Sequence, residues 1–111
     1  MSATLAEVQQ SIRQQLKNSE WYGQDRQTDI VHAAIGIGGE SGELLDLIKK
    51  DVFRGKKHSR DQWISELGDI LWYLVAEAEL IGSSMDEVWQ YNCHKLDDRR
   101  KNGKNGQSWE G

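Results

Sequence analysis

Not one of the 111 residues is proline. Such a chain can run helices without interruption, and it lacks a residue that loop-rich β folds use at turns and sheet edges. Helical spacing of apolar residues then divides the sequence into four stretches separated by turn signals. The first is expected over 5–17, where Thr4 and Glu7 fit a capping box and Leu5, Val8, Ile12 and Leu16 share one face. The second is expected over 29–53, capped by Thr28 or Asp29, with Ile30, Ala34, Ile37, Leu44, Leu45, Ile48 and Val52 as its apolar stripe. Gly36, Gly38, Gly39 and Gly42 fall inside it, each costing about 1 kcal/mol against alanine. Close approach of a backbone or a ligand would account for them, and so would a bend.

The third stretch covers 60–81, with Ser59 and Gln62 as a capping box and Gly82 placed to end it. Its core stripe is Trp63, Leu67, Ile70, Leu71, Leu74, Ala78 and Ile81. Tyr73, Ala76 and Leu80 form a second apolar set, and a helix apolar on two sides is buried on two sides. In so short a chain the second side is expected to meet another subunit. The fourth stretch covers 85–101, opened by Ser84 and Glu87, with Val88, Trp89 and Leu96 as buried residues. The expected architecture is all-α, a four-helix bundle forming one domain over 1–101, with a flexible tail over 102–111.

With a net charge of -4, general nucleic-acid binding is not expected. The single cysteine, Cys93, rules out a disulfide framework and points to a reducing cytoplasm. No stretch approaches the length of a membrane span, and the first residues do not read as a signal peptide.

Chemistry concentrates in two acidic pairs. Glu40 and Glu43 are three apart on the second helix, and Glu66 and Asp69 are three apart on the third. That spacing puts each pair on one helix face, at the edge of the apolar stripe, where two antiparallel helices can face each other. Converging carboxylates repel unless a cation joins them. Oxygen ligands of this hardness suit Mg²⁺, with Mn²⁺ as substitute, and Mg²⁺ commonly bridges carboxylates to phosphates. Acidic pairs also occur on solvated faces that bind nothing. A di-iron centre needs two Glu-x-x-His motifs, and only Asp29-x-x-His32 comes near.

The run Gly39-Glu40-Ser41-Gly42-Glu43-Leu44, followed by Glu66-Leu67-Gly68-Asp69-Ile70-Leu71-Trp72-Tyr73, resembles the signature of the MazG-like superfamily of all-α nucleoside triphosphate pyrophosphohydrolases. Asn92-x-x-Lys95-Leu96-x-x-Arg99 is similar to that family's last helix, so the resemblance covers roughly 30–100. It implies Mg²⁺-dependent cleavage of a (d)NTP to (d)NMP and pyrophosphate, housecleaning of the nucleotide pool, and a homodimer or homotetramer. It implies Glu40, Glu43, Glu66 and Asp69 as catalytic metal ligands and Tyr73 as a border of the nucleotide pocket. Gly39 stands where many members carry a further Glu, which leaves the metal count and the water-activating group open. The family's Tyr-Pro after the last arginine is replaced by Arg100-Lys101-Asn102.

Five other residues are drawn to the substrate, Lys50 by its position on the helix and the rest by the same resemblance. Lys95 and Arg99 would hold the outer phosphates, with Asn92 beside them, although a basic helix end also suits the helix dipole. Lys50 lies two turns beyond Glu43 on nearly the same face. Trp21 holds the place of a base-contacting aromatic, or else is a core or loop tryptophan. The basic loop of Arg54, Lys56, Lys57, His58 and Arg60 is either solvated or an aid to a triphosphate. The rival to an enzyme is a non-catalytic helical module that binds metal or nucleotide and acts on a partner.

Overall fold

Polar caps start each helix of the chain. The computed structural model describes residues 2–102, which form α1 Leu5–Lys17, α2 Arg26–Arg54, α3 Arg60–Leu80 and α4 Met85–Lys101, with no strand among the described residues. Thr4 accepts the Glu7 N–H at 3.1 Å while Glu7 accepts the Thr4 N–H at 2.9 Å, closing the expected box. Ser59 and Gln62 repeat it at the start of α3. Ser84 forms half a box: it accepts the Glu87 N–H, but the Glu87 carboxylate takes the Ser83 hydroxyl at 2.8 Å instead.

α2 begins three residues earlier than expected, and its cap is Asp25 rather than Thr28 or Asp29. Asp25 accepts from both the N–H and the hydroxyl of Thr28, each at 2.9 Å. Asp29 instead lies buried in the first turn, where its carboxylate takes the Gly23 N–H at 3.0 Å and ties down the preceding loop. α2 closes on Gly55 at φ 61, a left-handed position that glycine adopts without a Cβ clash. α3 stops at Leu80, one residue short of expectation, and Gly82 at φ 82 turns the chain towards α4. Asn102 caps α4, and the rest of the expected tail, including Trp109, lies outside the described residues.

α3 is the hub. It packs on α2, α1 and α4, α1 also meets α4, and among the described residues α2 meets α3 alone. The core joins Ile12 and Leu16 of α1, Val75, Ala76 and Ala78 of α3, and Met85 of α4, with Val8, Trp21, Trp72 and Leu80 against it. One polar side chain is buried at this junction. Gln9 donates to Glu79 at 2.9 Å and to the Ser83 carbonyl at 3.0 Å, and accepts the Met85 N–H at 2.7 Å.

The expected stripes are apolar but largely uncovered. Leu67, Leu71, Leu74 and Ile81 of α3 are exposed, Leu67 at 52%. So are Leu45 and Val52 of α2 and Val88 and Trp89 of α4. The second set on α3 is the covered one, with Ala76 fully buried and Tyr73 and Leu80 half-buried. The reason is steric. Where α2 and α3 close together, small residues make the approach: Ala33 is buried, and a Cβ added to Gly36 would fall on the Tyr73 ring. The large side chains are left on the far faces. Helical period shows which face is apolar and not what covers it.

Candidate active site

α2 and α3 run antiparallel, so residues pair in order along their shared seam: Gly36 against Tyr73, Glu40 by Asp69, and Lys50 near Gln62. That order turns two local acidic pairs into one cluster. Glu40, Glu66 and Asp69 each offer a carboxylate oxygen, and these oxygens lie within 4.8 Å of one another. Glu43 stands one turn further along α2, exposed, and lines a neighbouring cleft together with Glu66.

The cluster is electrostatically costly as it stands. The Glu40 carboxyl is pushed above its ordinary value by burial first, then by hydrogen bonding to Asp69, then by the charges of Asp69, Glu66 and Glu43. Glu66 Oε2 is buried and has no hydrogen-bond partner among the described residues. A buried carboxylate oxygen left without a partner costs about 1–3 kcal/mol or more. A hard divalent cation removes both costs, since it accepts oxygen donors alone and neutralises the acids. The residues present therefore fit Mg²⁺ or Mn²⁺.

Two clefts flank the acids. One, of about 370 Å³, is lined by Glu40 and Asp69 with Ser19, Trp21, Trp72 and Tyr73. Its aromatic walls are fixed by neighbours. Trp21 stacks on His32 with ring centroids 4.0 Å apart and planes 4° off parallel. Trp72 meets Tyr73 edge-on at 5.2 Å and donates its indole N–H to Gln15 at 2.6 Å. A flat apolar ring suits such walls. The other cleft, of about 210 Å³, is lined by Glu43 and Glu66 with Asp46, Lys50, His58 and Gln62. There Lys50 pairs with Asp46 at 2.9 Å, and His58 Nδ1 meets Asp51 Oδ1 at 2.6 Å.

The structure thus gathers Glu40, Glu66, Asp69, Tyr73 and Trp21 on one side and Glu43 and Lys50 on the other. It does not gather Asn92, Lys95 and Arg99. They lie on α4, which does not meet α2, and none of the three lines either cleft. Sequence reasoning passed over Trp72 as a wall of the aromatic cleft, His32 as the ring that Trp21 stacks on, and Asp51 as the partner of His58. Trp72 carried a usable signal, since it directly precedes Tyr73. The other two depend on long side chains meeting across a loop, which no spacing rule records.

Comparison with known proteins shows the family. The family model described as the MazG nucleotide pyrophosphohydrolase domain matches residues 32–104, and the chain belongs to that family. It is also similar to the Gene 37 protein of Mycobacterium phage L5, 32% identical over an alignment of 77 residues that covers 65% of this chain and 67% of that relative. No solved structure matches the chain significantly.

Proposed function

We propose that this protein is a Mg²⁺-dependent nucleoside triphosphate pyrophosphohydrolase that cleaves a (d)NTP to the (d)NMP and pyrophosphate. The observation that carries the reading is the carboxylate cluster of Glu40, Glu66 and Asp69, with an orphaned buried oxygen, set between an aromatic cleft and a polar one that carries Lys50 and His58. Membership of the family supports the reaction class.

Glu40, Glu66 and Asp69 would hold the metal, with Glu43 one turn further along α2. When bound, Mg²⁺ neutralises phosphate charge and makes a neighbouring water more acidic. Trp21 and Tyr73 take the base by stacking, and so place the α-phosphate beside the acids. A carboxylate of the cluster accepts the proton of the attacking water. Lys50 draws the outer phosphates away from the base. Housecleaning of the nucleotide pool, in the cytoplasm, is the role that fits such a reaction. No helix among the described residues is long and apolar enough to cross a membrane.

The working protein is a homodimer or homotetramer. The support is the exposed apolar faces of α2, α3 and α4, far more than a small monomer leaves in water. Assembly also offers Asn92, Lys95 and Arg99 a route to the substrate, from α4 of a neighbouring copy. Light scattering at micromolar concentration should show no major monomer, and a clean monomer would remove this part of the reading.

The test is pyrophosphate release with Mg²⁺ from a panel of canonical and modified (d)NTPs, with Glu40→Gln and Asp69→Asn as controls. Release by wild type that drops by about 100-fold or more in both variants is expected. A folded wild type that releases nothing from any nucleotide would leave the non-catalytic binding module as the better account.

A further inference from the structure

The two clefts beside the acids differ in chemistry, and the difference gives the substrate a direction. The cleft at the Tyr73 end is walled by Trp21, Trp72 and Tyr73, and no lysine, arginine or histidine lines it. The cleft at the other end has no aromatic carbocycle and carries Lys50 and His58. Glu66 belongs to both the acidic cluster and the second cleft, so that cleft opens directly from the acids. Resting on the pyrophosphohydrolase reading above, we propose that the second cleft is the subsite for the departing diphosphate, with the Asp51–His58 pair and Lys50 as its binding groups.

His58 is the less obvious member. It sits in the loop after α2 with its side chain 12% exposed, and the Asp51 side chain it meets is 17% exposed. A short contact between two largely covered side chains fixes the imidazole. With Nδ1 engaged by Asp51, Nε2 is the nitrogen left for a ligand in the cleft. One proton between Nε2 and a phosphate oxygen completes a hydrogen bond, whichever partner brings it. Asp51 acts through His58 and is a positioning residue. Lys50 lines the same cleft and supplies an ammonium, held near it by Asp46.

The cleft also carries Glu43, Asp46 and Glu66, so a bare anion would meet repulsion there. A Mg²⁺–diphosphate complex would not, because Glu66 would take its metal while Lys50 and His58 would be left for its oxygens. The subsite therefore takes the metal complex and rejects the free anion. A purely structural part for the pair, stapling the α2–α3 loop, predicts no such preference.

Calorimetric binding to the full chain separates the two. The probes are pyrophosphate and a nucleoside monophosphate, each with Mg²⁺, and pyrophosphate with EDTA. Wild type should bind both Mg²⁺ probes and not the EDTA sample. His58→Ala should weaken Mg²⁺–pyrophosphate by about tenfold or more, and the monophosphate by less than about twofold. Asp51→Asn should act in the same direction and more mildly. Should His58→Ala melt below the working temperature, Lys50→Met, on the exposed end of α2, must show the same one-sided loss. Equal weakening of both probes, or of neither, in a folded variant would overturn the subsite. Wild type that binds the monophosphate but not Mg²⁺–pyrophosphate would overturn it while leaving the nucleotide reading intact. Wild type that binds neither would remove both.

Discussion

Gly36 lies directly beneath the Tyr73 ring, so closely that a Cβ at position 36 would fall on its carbons. This contact lets α2 approach α3 next to the acids, and it sets where the Tyr73 ring stands in the aromatic cleft. Gly36→Ala should lower stability by about 1–3 kcal/mol, since the ring must move, against a helix-propensity gain of about 1 kcal/mol. It should also raise KM for nucleotide more than it lowers kcat. Urea denaturation and steady-state kinetics check the two halves, and an unchanged midpoint would mean that the ring yields freely.

The three neighbouring glycines behave differently. A Cβ at Gly38, Gly39 or Gly42 meets nothing within 4 Å in the chain. Gly38→Ala and Gly42→Ala should each raise stability by about 0.5–1 kcal/mol through helix propensity alone. Denaturation of the purified variants at low protein concentration measures this. A fall in stability together with dissociation seen by light scattering would instead show that backbones of two copies meet at these glycines.

The caps at Thr4, Ser59 and Ser84 were legible because a Ser or Thr three residues before a Glu or Gln is a local pattern, and local hydrogen bonds settle it. The start of α2 was not, since Asp25, Thr28 and Asp29 are all competent caps and the choice depends on Asp29 reaching back to Gly23. The meeting of Glu40, Glu66 and Asp69 could be anticipated from two i, i+3 pairs on antiparallel helices. Which residues of α3 are covered could not. Val75 and Ala76 fill the core while Leu67 and Leu71 face outward, and that depends on partners no periodicity names. The remoteness of Lys95 and Arg99 from the acids has the same origin, because α4 leaves α3 without touching α2.

Glu40 supplies a pH test. Its carboxyl is raised on folding, by burial first and then by Asp69, Glu66 and Glu43. A raised carboxyl contributes stability that is full below its unfolded value and is lost as pH climbs through its folded value. In EDTA, Glu40→Gln should therefore melt above wild type at about pH 7, and the gap should close near about pH 4, where unperturbed carboxylates protonate. Added Mg²⁺ should reverse the order at pH 7, raising wild type by a few degrees and the variant less. Melting curves at both pH values, with EDTA and with Mg²⁺, decide it. Identical melting of the two proteins in EDTA at every pH would mean that the acids do not repel one another.

Gln9 governs how α4 leaves the core. Its amide is buried and bonded three ways, to Glu79, to the Ser83 carbonyl and to the Met85 N–H, so one side chain of α1 joins the end of α3 to the start of α4. Arg13 braces the same Glu79 at 2.8 Å and holds its carboxyl below the ordinary value, with Gln9 assisting. Gln9→Leu keeps the volume and removes every bond. The Met85 N–H is then buried without a partner, at a cost of about 1–3 kcal/mol. The Glu79 contribution has the opposite pH sense to that of Glu40. A lowered carboxyl gives stability that is present above its unfolded value and is lost as pH falls through its folded value. Glu79→Gln should thus cost stability at neutral pH, and that cost should vanish in acid. Because this junction is remote from the acidic cluster, neither substitution should change the Mg²⁺-induced rise in melting temperature. Urea titrations with and without Mg²⁺ test both points, and a lost Mg²⁺ response in folded Gln9→Leu would show that the α1–α4 junction and the acids are coupled through α3.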